Sequence, residues 1–113
     1  MDVYVEDRPW GKFERYIENE KCTVKILYLK SNSQTSLQYH GKRDEWWKVI
    51  RGSIKIHVND HEYRLAENDS FFIKRGSKHQ IINLEYPSII LEISTGDFDE
   101  NDIVRLKDIY NRI

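Results

Sequence analysis

The chain has 113 residues, with 18 Lys and Arg against 19 Asp and Glu and a formal net charge of −1. This length indicates one domain, residues 1–113, that can bury roughly two thirds of its extended surface. The charges are interleaved along the chain, which argues against nucleic acid or a membrane surface as a partner. No stretch approaches the roughly 18 apolar residues of a membrane span, and the first residues contain no apolar signal segment, so we expect a soluble cytoplasmic protein.

Short strands separated by turn residues account for most of the predicted elements. Apolar and polar residues alternate along 22–28, as in a half-buried strand. Asn59-Asp60 separates two further alternating runs, and a two-residue hairpin there predicts the cross-strand pairs Val58–His61, Ile56–Tyr63 and Ile54–Leu65. The remaining predicted strands are 13–18, 34–40, 45–51, 70–73, 78–83 and 88–94.

The segment after Gly96 is predicted to form a different element. Its acidic residues, between 97 and 102, precede Ile103, Leu106, Ile109 and Tyr110 at helical spacing, with Lys107 and Arg112 late in the segment. Acids at the start and bases at the end favour a short amphipathic C-terminal helix. The many short strands before it indicate an all-β sandwich or barrel of jelly-roll type.

Two separated polar runs predict one metal site. Gln38 and His40 share one face of a strand, Glu45 begins the next strand, and His79 and Asn83 share one face of a later strand. Inside a barrel, the two imidazoles, the carboxylate and the amide oxygen can converge on a divalent metal and leave a position open for a ligand. Zn, Co, Ni, Mn and Fe(II) all suit this donor set.

Several other residues carry predictions about packing. Cys22 is the single cysteine, which excludes an internal disulfide and a cysteine-built zinc site, and we expect it to be a small buried strand residue. His57 and His61 are predicted at the surface, and Trp10 is predicted to pack rather than to stack on a sugar. Trp46 alternates away from Glu45, and an outward tryptophan often marks a covered surface, which favours a homodimer.

Two runs of the sequence resemble the motifs of the cupin superfamily, Q-x-H-x4-E-x6-G at 38–52 and N-x5-K-x-G-x2-H-x3-N at 68–83. Over nearly its full length the chain is similar to the C-terminal isomerase domain of bacterial bifunctional mannose-6-phosphate isomerase/mannose-1-phosphate guanylyltransferases. The matching pieces are RPWG at 8–11, SLQ at 36–38, AENDS at 66–70, GD at 96–97 and DIVR at 102–105. The resemblance implies a cupin double-stranded β-helix and interconversion of mannose-6-phosphate with fructose-6-phosphate. It also implies a metal on Gln38, His40, Glu45 and His79.

The resemblance also suggests roles for further residues. Arg43 is our candidate to hold the phosphate or to steady an enediolate, since a guanidinium offers forked donors. Glu45 or metal-bound solvent is the candidate for proton transfer. The additional candidates for binding the sugar phosphate are Arg8, Lys12, Lys74, Asn83 and Arg105.

Two function classes remain open. The first is a metal-dependent sugar-phosphate isomerase, which rests on the Gln-first ligand set and on Arg43. The second is a non-catalytic cupin that binds a metal and a sugar as a sensor or partner subunit, because Gly41-Lys42 and Trp46 stand where the family commonly has histidines. A cupin dioxygenase is disfavoured, since Gln38 occupies the place of a second His ligand. Nucleotidyl transfer by this chain alone is rejected, because the Gly-rich nucleotide-binding segment is absent; a separate guanylyltransferase partner would have to supply it.

Overall fold

The computed structural model describes residues 2–109, and over that range it contains eleven strands and no helix. The strands are β1 Tyr4–Arg8, β2 Gly11–Arg15, β3 Cys22–Leu29, β4 Leu37–Tyr39, β5 Arg43–Arg51, β6 Ile54–Val58, β7 His61–Leu65, β8 Ser70–Ile73, β9 His79–Asn83, β10 Ser88–Gly96 and β11 Val104–Lys107. They form an antiparallel hairpin β1-β2, a four-stranded sheet β3-β10-β5-β8 and a five-stranded sheet β11-β4-β9-β6-β7. The predicted all-β jelly-roll architecture is therefore confirmed, although the two sheets do not close into one continuous sheet.

The apolar core lies between the two larger sheets. Trp47, Val49 and Ile90 come from the four-stranded sheet, and Ile54 and Ile56 come from the five-stranded sheet. Buried and more exposed positions alternate throughout β6 and over the first half of β10, so period-two patterning decides which of their side chains enter the core, whereas β5 also buries consecutive residues, including Trp46 beside Trp47. Burial of these branched and aromatic side chains is the main stabilising term of the sandwich.

The β6–β7 hairpin has the register that the sequence predicts. Ile54 pairs with Leu65, and the intermediate pairs continue to Val58 opposite His61. Asn59 has a φ of 55°, in the left-handed region that asparagine tolerates better than most residues. The turn chemistry therefore explains why the chain reverses at this point.

The predicted C-terminal helix is wrong over the described residues, because 104–107 form strand β11. Val104 pairs with Tyr39 and Arg105 pairs with Gln38, so the segment continues the sheet beyond β4. The backbone of β4 gains partners along its outer edge, which an isolated helix would not supply. Residues 110–113, which include Tyr110 and Arg112 of the predicted helix, lie outside the described residues.

The predictions for Trp10 and Trp46 are both wrong, and the position of the N-terminal segment explains why. Trp10 is 73% exposed at the tip of the β1–β2 hairpin, so the predicted packing of this side chain is wrong. Trp46 is buried, and its ring lies 5.2 Å from the ring of Tyr16 in the segment that follows β2. Because the chain covers Trp46 itself, this residue gives no reason to expect a partner subunit.

The remaining packing predictions have mixed outcomes. His61 is exposed as predicted, whereas His57 and Cys22 are both half-buried.

Among the described residues, no helix is long and apolar enough to cross a membrane.

Candidate metal centre

Three side chains from different strands meet at one end of the core. His40 directly follows β4, Glu45 lies in β5 and His79 begins β9, and one ligand atom from each lies within 4.8 Å of the other two. Glu45 Oε1 is 3.1 Å from His79 Nε2 and 3.5 Å from His40 Nε2. All three residues are only 3% exposed. Strand alternation predicts this convergence, and the structure places these three predicted ligands together.

Backbone carbonyls determine which nitrogen of each imidazole faces the cluster. His40 Nδ1 lies 2.7 Å from the carbonyl oxygen of Asp102, and His79 Nδ1 lies 2.9 Å from that of Ser77. A carbonyl can only accept, so both rings donate from Nδ1 and a neutral ring keeps its lone pair on Nε2. Burial is the main reason that the pKa of His40 is lowered, which favours this neutral form.

The cluster fits a divalent metal ion. Glu45 Oε1 and His79 Nε2 are buried without a hydrogen-bond partner, and although they are 3.1 Å apart they are not aligned as a hydrogen bond. When the imidazole carries its proton on Nδ1 alone, two electron-rich atoms face each other, which is costly in a buried site. A cation between them would satisfy both, and two imidazoles with a carboxylate are common ligands of divalent transition metals.

Gln38, the fourth predicted ligand, lies beside the cluster. It is directly opposite His79 in the β4–β9 pairing. Its Oε1 accepts a hydrogen bond of 2.6 Å from Ser36 Oγ, and its Nε2 lies 3.4 Å from His40 Nε2. Ligation through the amide oxygen requires the amide to turn over, after which the hydroxyl of Ser36 can accept from the amide nitrogen.

A second buried carboxyl group, which sequence analysis missed, adjoins Glu45. Glu92 lies opposite Trp47 in the β10–β5 pairing, and Trp47 Nε1 donates to its Oε1 over 3.2 Å. Burial and contact with Glu45 raise the pKa of Glu92 to about 8. Burial opposes ionisation of Glu45, but the hydrogen bond and positive charge of the protonated form of His79, together with the hydrogen bond from Glu92, outweigh it and lower the pKa of Glu45 to about 2. At neutral pH the proton of this pair therefore resides on Glu92.

Arg43 is the cation that touches the cluster. It is 7% exposed, and its Nη2 donates toward His40 Nε2 over 3.2 Å. Its guanidinium also lies 4.4 Å from the centre of the Phe98 ring, while its Nε is buried without a hydrogen-bond partner. Part of its donor capacity therefore remains unused inside the site.

Two more cations lie beside other residues of this site. Arg105 is directly opposite Gln38 in the β11–β4 pairing, so both side chains are on the same face, and Arg105 Nε is also buried without a partner. Lys25, which sequence analysis did not single out, places its Nζ 4.5 Å from the centre of the Phe98 ring that Arg43 also contacts. This end of the core thus combines a carboxylate-imidazole cluster with positive charge suited to an anion.

The structure does not bring the other predicted binding residues to this cluster. Arg8 and Lys12 lie in the β1–β2 hairpin, where they form ion pairs with Glu6 and Glu14, respectively. Lys74 is exposed in the turn that follows β8.

Asn83 is also distant from the cluster, because it lies four residues after His79 along β9, roughly 13 Å at the rise of a strand. Its amide nitrogen donates to three carbonyl groups, and its Oδ1 accepts a 2.7 Å hydrogen bond from Ser88 Oγ. The three carbonyl groups belong to Leu29, Lys30 and Tyr86. Asn83 therefore joins loops at the opposite end of the core.

A family model and curated bacterial proteins both match nearly the whole chain. Residues 2–108 match the family described as "Mannose-6-phosphate isomerase C-terminal". A "Mannose-1-phosphate guanylyltransferase" of Klebsiella pneumoniae is 35% identical over 107 residues, 93% of this chain and 23% of that protein. "Alginate biosynthesis protein AlgA" of Pseudomonas aeruginosa is 35% identical over 107 residues, 93% of this chain and 22% of that protein. The chain thus spans less than a quarter of the length of these curated relatives.

Among solved structures, an oxalate decarboxylase from Bacillus subtilis superimposes with a TM-score of 0.70. The two are 26% identical, and the match covers 77% of this chain and 24% of that one. The fold is that of a cupin.

Proposed function

This chain belongs to the mannose-6-phosphate isomerase C-terminal family, and from that membership we propose that it is a metal-dependent isomerase that interconverts mannose-6-phosphate and fructose-6-phosphate. The observation that carries the proposal is the buried cluster of His40, Glu45 and His79, with positive charge beside it. One named relative is a mannose-1-phosphate guanylyltransferase and the other an alginate biosynthesis protein, and the first of these names agrees with a mannose phosphate as substrate class.

His40, Glu45, His79 and Gln38 are the proposed ligands of a divalent ion, which is Zn, Co, Ni, Mn or Fe. Such an ion would supply Lewis-acid chemistry, polarising the sugar carbonyl while a proton leaves the neighbouring carbon. The chain itself contributes a fixed orientation: the Nδ1 atoms of the two imidazoles are held by backbone carbonyls, which direct both Nε2 lone pairs inward. Glu45 remains ionised at neutral pH, as a ligand must.

Arg43, Arg105 and Lys25 are the proposed contacts of the phosphate or of the developing enediolate. The Nη2 of Arg43 and a metal ligated by His40 would use the same Nε2 lone pair, so ligation frees that donor for the substrate. Arg43 and Arg105 each have a buried Nε without a partner, and guanidinium groups bind phosphate through two parallel hydrogen bonds. Lys25 adds a point charge next to Phe98, where it also forms an ion pair with Glu100.

The direct test incubates the protein, loaded in turn with each candidate metal, with mannose-6-phosphate and measures fructose-6-phosphate by a coupled assay. We expect turnover with at least one metal. We also expect His79→Ala to lose bound metal by elemental analysis, whereas the matched variant His57→Ala, on the outward face of β6, keeps it. Equal metal content in the two variants would contradict the site, and metal binding without turnover for every ion would overturn the isomerase.

That last outcome would support the alternative, a non-catalytic cupin that binds a metal and a sugar phosphate. One observation favours it. Glu45, our candidate for proton transfer, is also a proposed ligand, and a carboxylate that donates to a metal is a weaker base. Equilibrium binding of mannose-6-phosphate to an inactive, metal-loaded protein would identify this function.

We also propose a homodimer. Strand β3 is at the edge of its sheet, and its outward residues Val24, Ile26 and Tyr28 are 56%, 44% and 75% exposed. An exposed apolar edge strand favours pairing with another chain, and a second copy presents the same surface. Light scattering should give twice the chain mass for the wild type and the single-chain mass for Ile26→Glu; a wild type that stays monomeric at high concentration would refute the dimer.

A further inference from the structure

Asp102, in the segment between β10 and β11, contacts the proposed ligand His40 and the two residues that follow it. Its Oδ1 accepts a 3.0 Å hydrogen bond from the backbone N–H of Gly41, and its Oδ2 accepts one of 2.9 Å from that of Lys42. Its own backbone carbonyl accepts the 2.7 Å hydrogen bond from His40 Nδ1. A single residue thus holds a proposed ligand and the two peptide groups that follow it.

This arrangement matters because His40 lies in the gap between two strands. Strand β4 ends at Tyr39 and β5 begins at Arg43, so residues 40–42 are outside the ladders of both sheets. The Asp102 carboxylate supplies acceptors for the N–H groups of Gly41 and Lys42, as a capping residue does for a turn. The backbone N–H groups of Gly76 and Asp97 donate to the carbonyl groups of His40 and Lys42, and together with the Asp102 carboxylate they give the backbone after His40 a defined direction.

The same carboxylate also determines the position of the Asp102 carbonyl. Since both carboxylate oxygens are anchored to the 41–42 peptide groups, Asp102 cannot move away from His40 without breaking two charge-assisted hydrogen bonds. The carbonyl then remains within reach of Nδ1, which fixes the ring plane and leaves Nε2 directed at Glu45 and His79.

We propose that Asp102 is a positioning residue of the metal centre, whose carboxylate orders the 40–42 turn so that its carbonyl holds the His40 ring for ligation. The inference rests on the proposed metal site. Partners of this kind, one step removed from the metal, typically contribute 10- to 100-fold to metal affinity. Asp102 does not touch the ion itself, so its effect must pass through His40.

Asp69 provides a matched control elsewhere in the chain. Its Oδ2 accepts a 2.8 Å hydrogen bond from the backbone N–H of Ala66, which caps the turn between β7 and β8. Asp69 is therefore another aspartate that caps backbone groups, but it adjoins none of the proposed ligands. Loss of turn stability alone should affect both aspartates, whereas loss of metal positioning should affect only Asp102.

The experiment measures the dissociation constant of Co²⁺ or Zn²⁺ by competition with a chromogenic chelator for the wild type, Asp102→Asn and Asp69→Asn. Asparagine keeps the shape of aspartate but presents an amide N–H₂ to one of the two backbone N–H groups, which can then no longer donate to it. We therefore expect the metal to bind 10- to 100-fold more weakly to Asp102→Asn, and its affinity for Asp69→Asn to change by less than about twofold. Urea unfolding of the metal-free proteins reports whether both variants remain folded. In the metal-free wild type, NMR should show a slowly exchanging His40 Nδ1 proton that is lost in Asp102→Asn.

If Asp102→Asn does not fold, Asp102→Glu retains both acceptor oxygens one methylene further out, and we expect weaker metal binding there than in the wild type. Tight metal binding that is equal in the wild type and the Asp102 variant, with the His40 Nδ1 proton retained, would overturn the role of Asp102 alone. A wild type that binds no divalent metal would overturn the metal centre and the role of Asp102 together.

Discussion

Glu92→Gln should remove a pH dependence from the stability of the metal-free protein. The folded state raises the pKa of Glu92 to about 8 from an ordinary value of 4.5, so the folded protein keeps a proton that the unfolded chain releases. The contribution of protonated Glu92 to the free energy of unfolding of the wild type is therefore lost as pH rises from about 4.5 to about 8. Glutamine has the same shape, cannot ionise, and can still donate to Glu45 and accept from Trp47.

The size of the effect follows from the shift. At about 1.36 kcal/mol for each pKa unit, the rise to about 8 corresponds to at most roughly 5 kcal/mol. Glu92 shares its proton with Glu45, and the two carboxyl groups titrate together, which reduces the part that belongs to Glu92. Between pH 5.5 and pH 9 we therefore expect Glu92→Gln to gain at least about 2 kcal/mol of stability relative to the wild type.

Urea unfolding in the presence of a chelator, followed by tryptophan fluorescence at several pH values, measures this difference. Comparing Glu92→Gln with the wild type at each pH cancels contributions that the two proteins share, such as that of His40, whose pKa is lowered mainly by burial. Glu85→Gln, a change at an exposed position, should follow the wild type at every pH. A difference between Glu92→Gln and the wild type that stays constant within about 0.5 kcal/mol from pH 5.5 to pH 9 would refute the reasoning.

Three further predictions concern the fold and the anion contacts. Gly52 has a φ of 90°, and the methyl group of Gly52→Ala would lie 2.5 Å from Ser88 Oγ in β10, so this variant should lose about 2 kcal/mol or more of stability in urea unfolding. Gly76 has a φ of 82° but open space around it, so Gly76→Ala should lose only about 1 kcal/mol. Asn83→Ala removes the donor to three carbonyl groups and should cost about 2 kcal/mol or more while metal content by elemental analysis stays unchanged. Arg105→Ala should raise KM for mannose-6-phosphate about tenfold or more, whereas Arg64→Ala, at an exposed position on β7, should leave KM unchanged; equal KM values would refute the contact with phosphate.

Local patterns predict the parts of this fold in which neighbouring residues in the sequence are also neighbours in space. The β6–β7 hairpin is the clearest example, because a two-residue turn and period-two alternation together leave one register that buries Ile54 and Ile56. The metal cluster is predictable in part for a related reason, since alternation along the predicted strand 34–40 puts Gln38 and His40 on one face and Glu45 follows after a short loop, although β4 itself ends at Tyr39.

The C-terminal segment shows where local patterns fail. The helical spacing of Ile103, Leu106 and Ile109 is a property of the segment in isolation. Strand β4 lies at least 65 residues earlier in the chain, since Val104 pairs with Tyr39, and only the folded sheet presents its free edge to this segment. In the resulting strand, Val104 and Leu106 are exposed and Arg105 turns inward, so the apolar residues do not form a buried stripe. Pairing of the backbone with a distant strand outweighs intrinsic propensity here.

Glu92 and Lys25 were missed for the same physical reason. Alternation within 88–94 places Glu92 on the same face as Ile90, which identifies it as an inward carboxyl group, but nothing in that run shows what lies opposite. Its neighbours in the sheet, β5 and β3, are distant in sequence and bring Trp47 and Lys25 alongside it. A charged residue on an apolar strand face is therefore the signal that the sequence offers, whereas its chemistry depends on contacts that form only when three non-consecutive strands assemble.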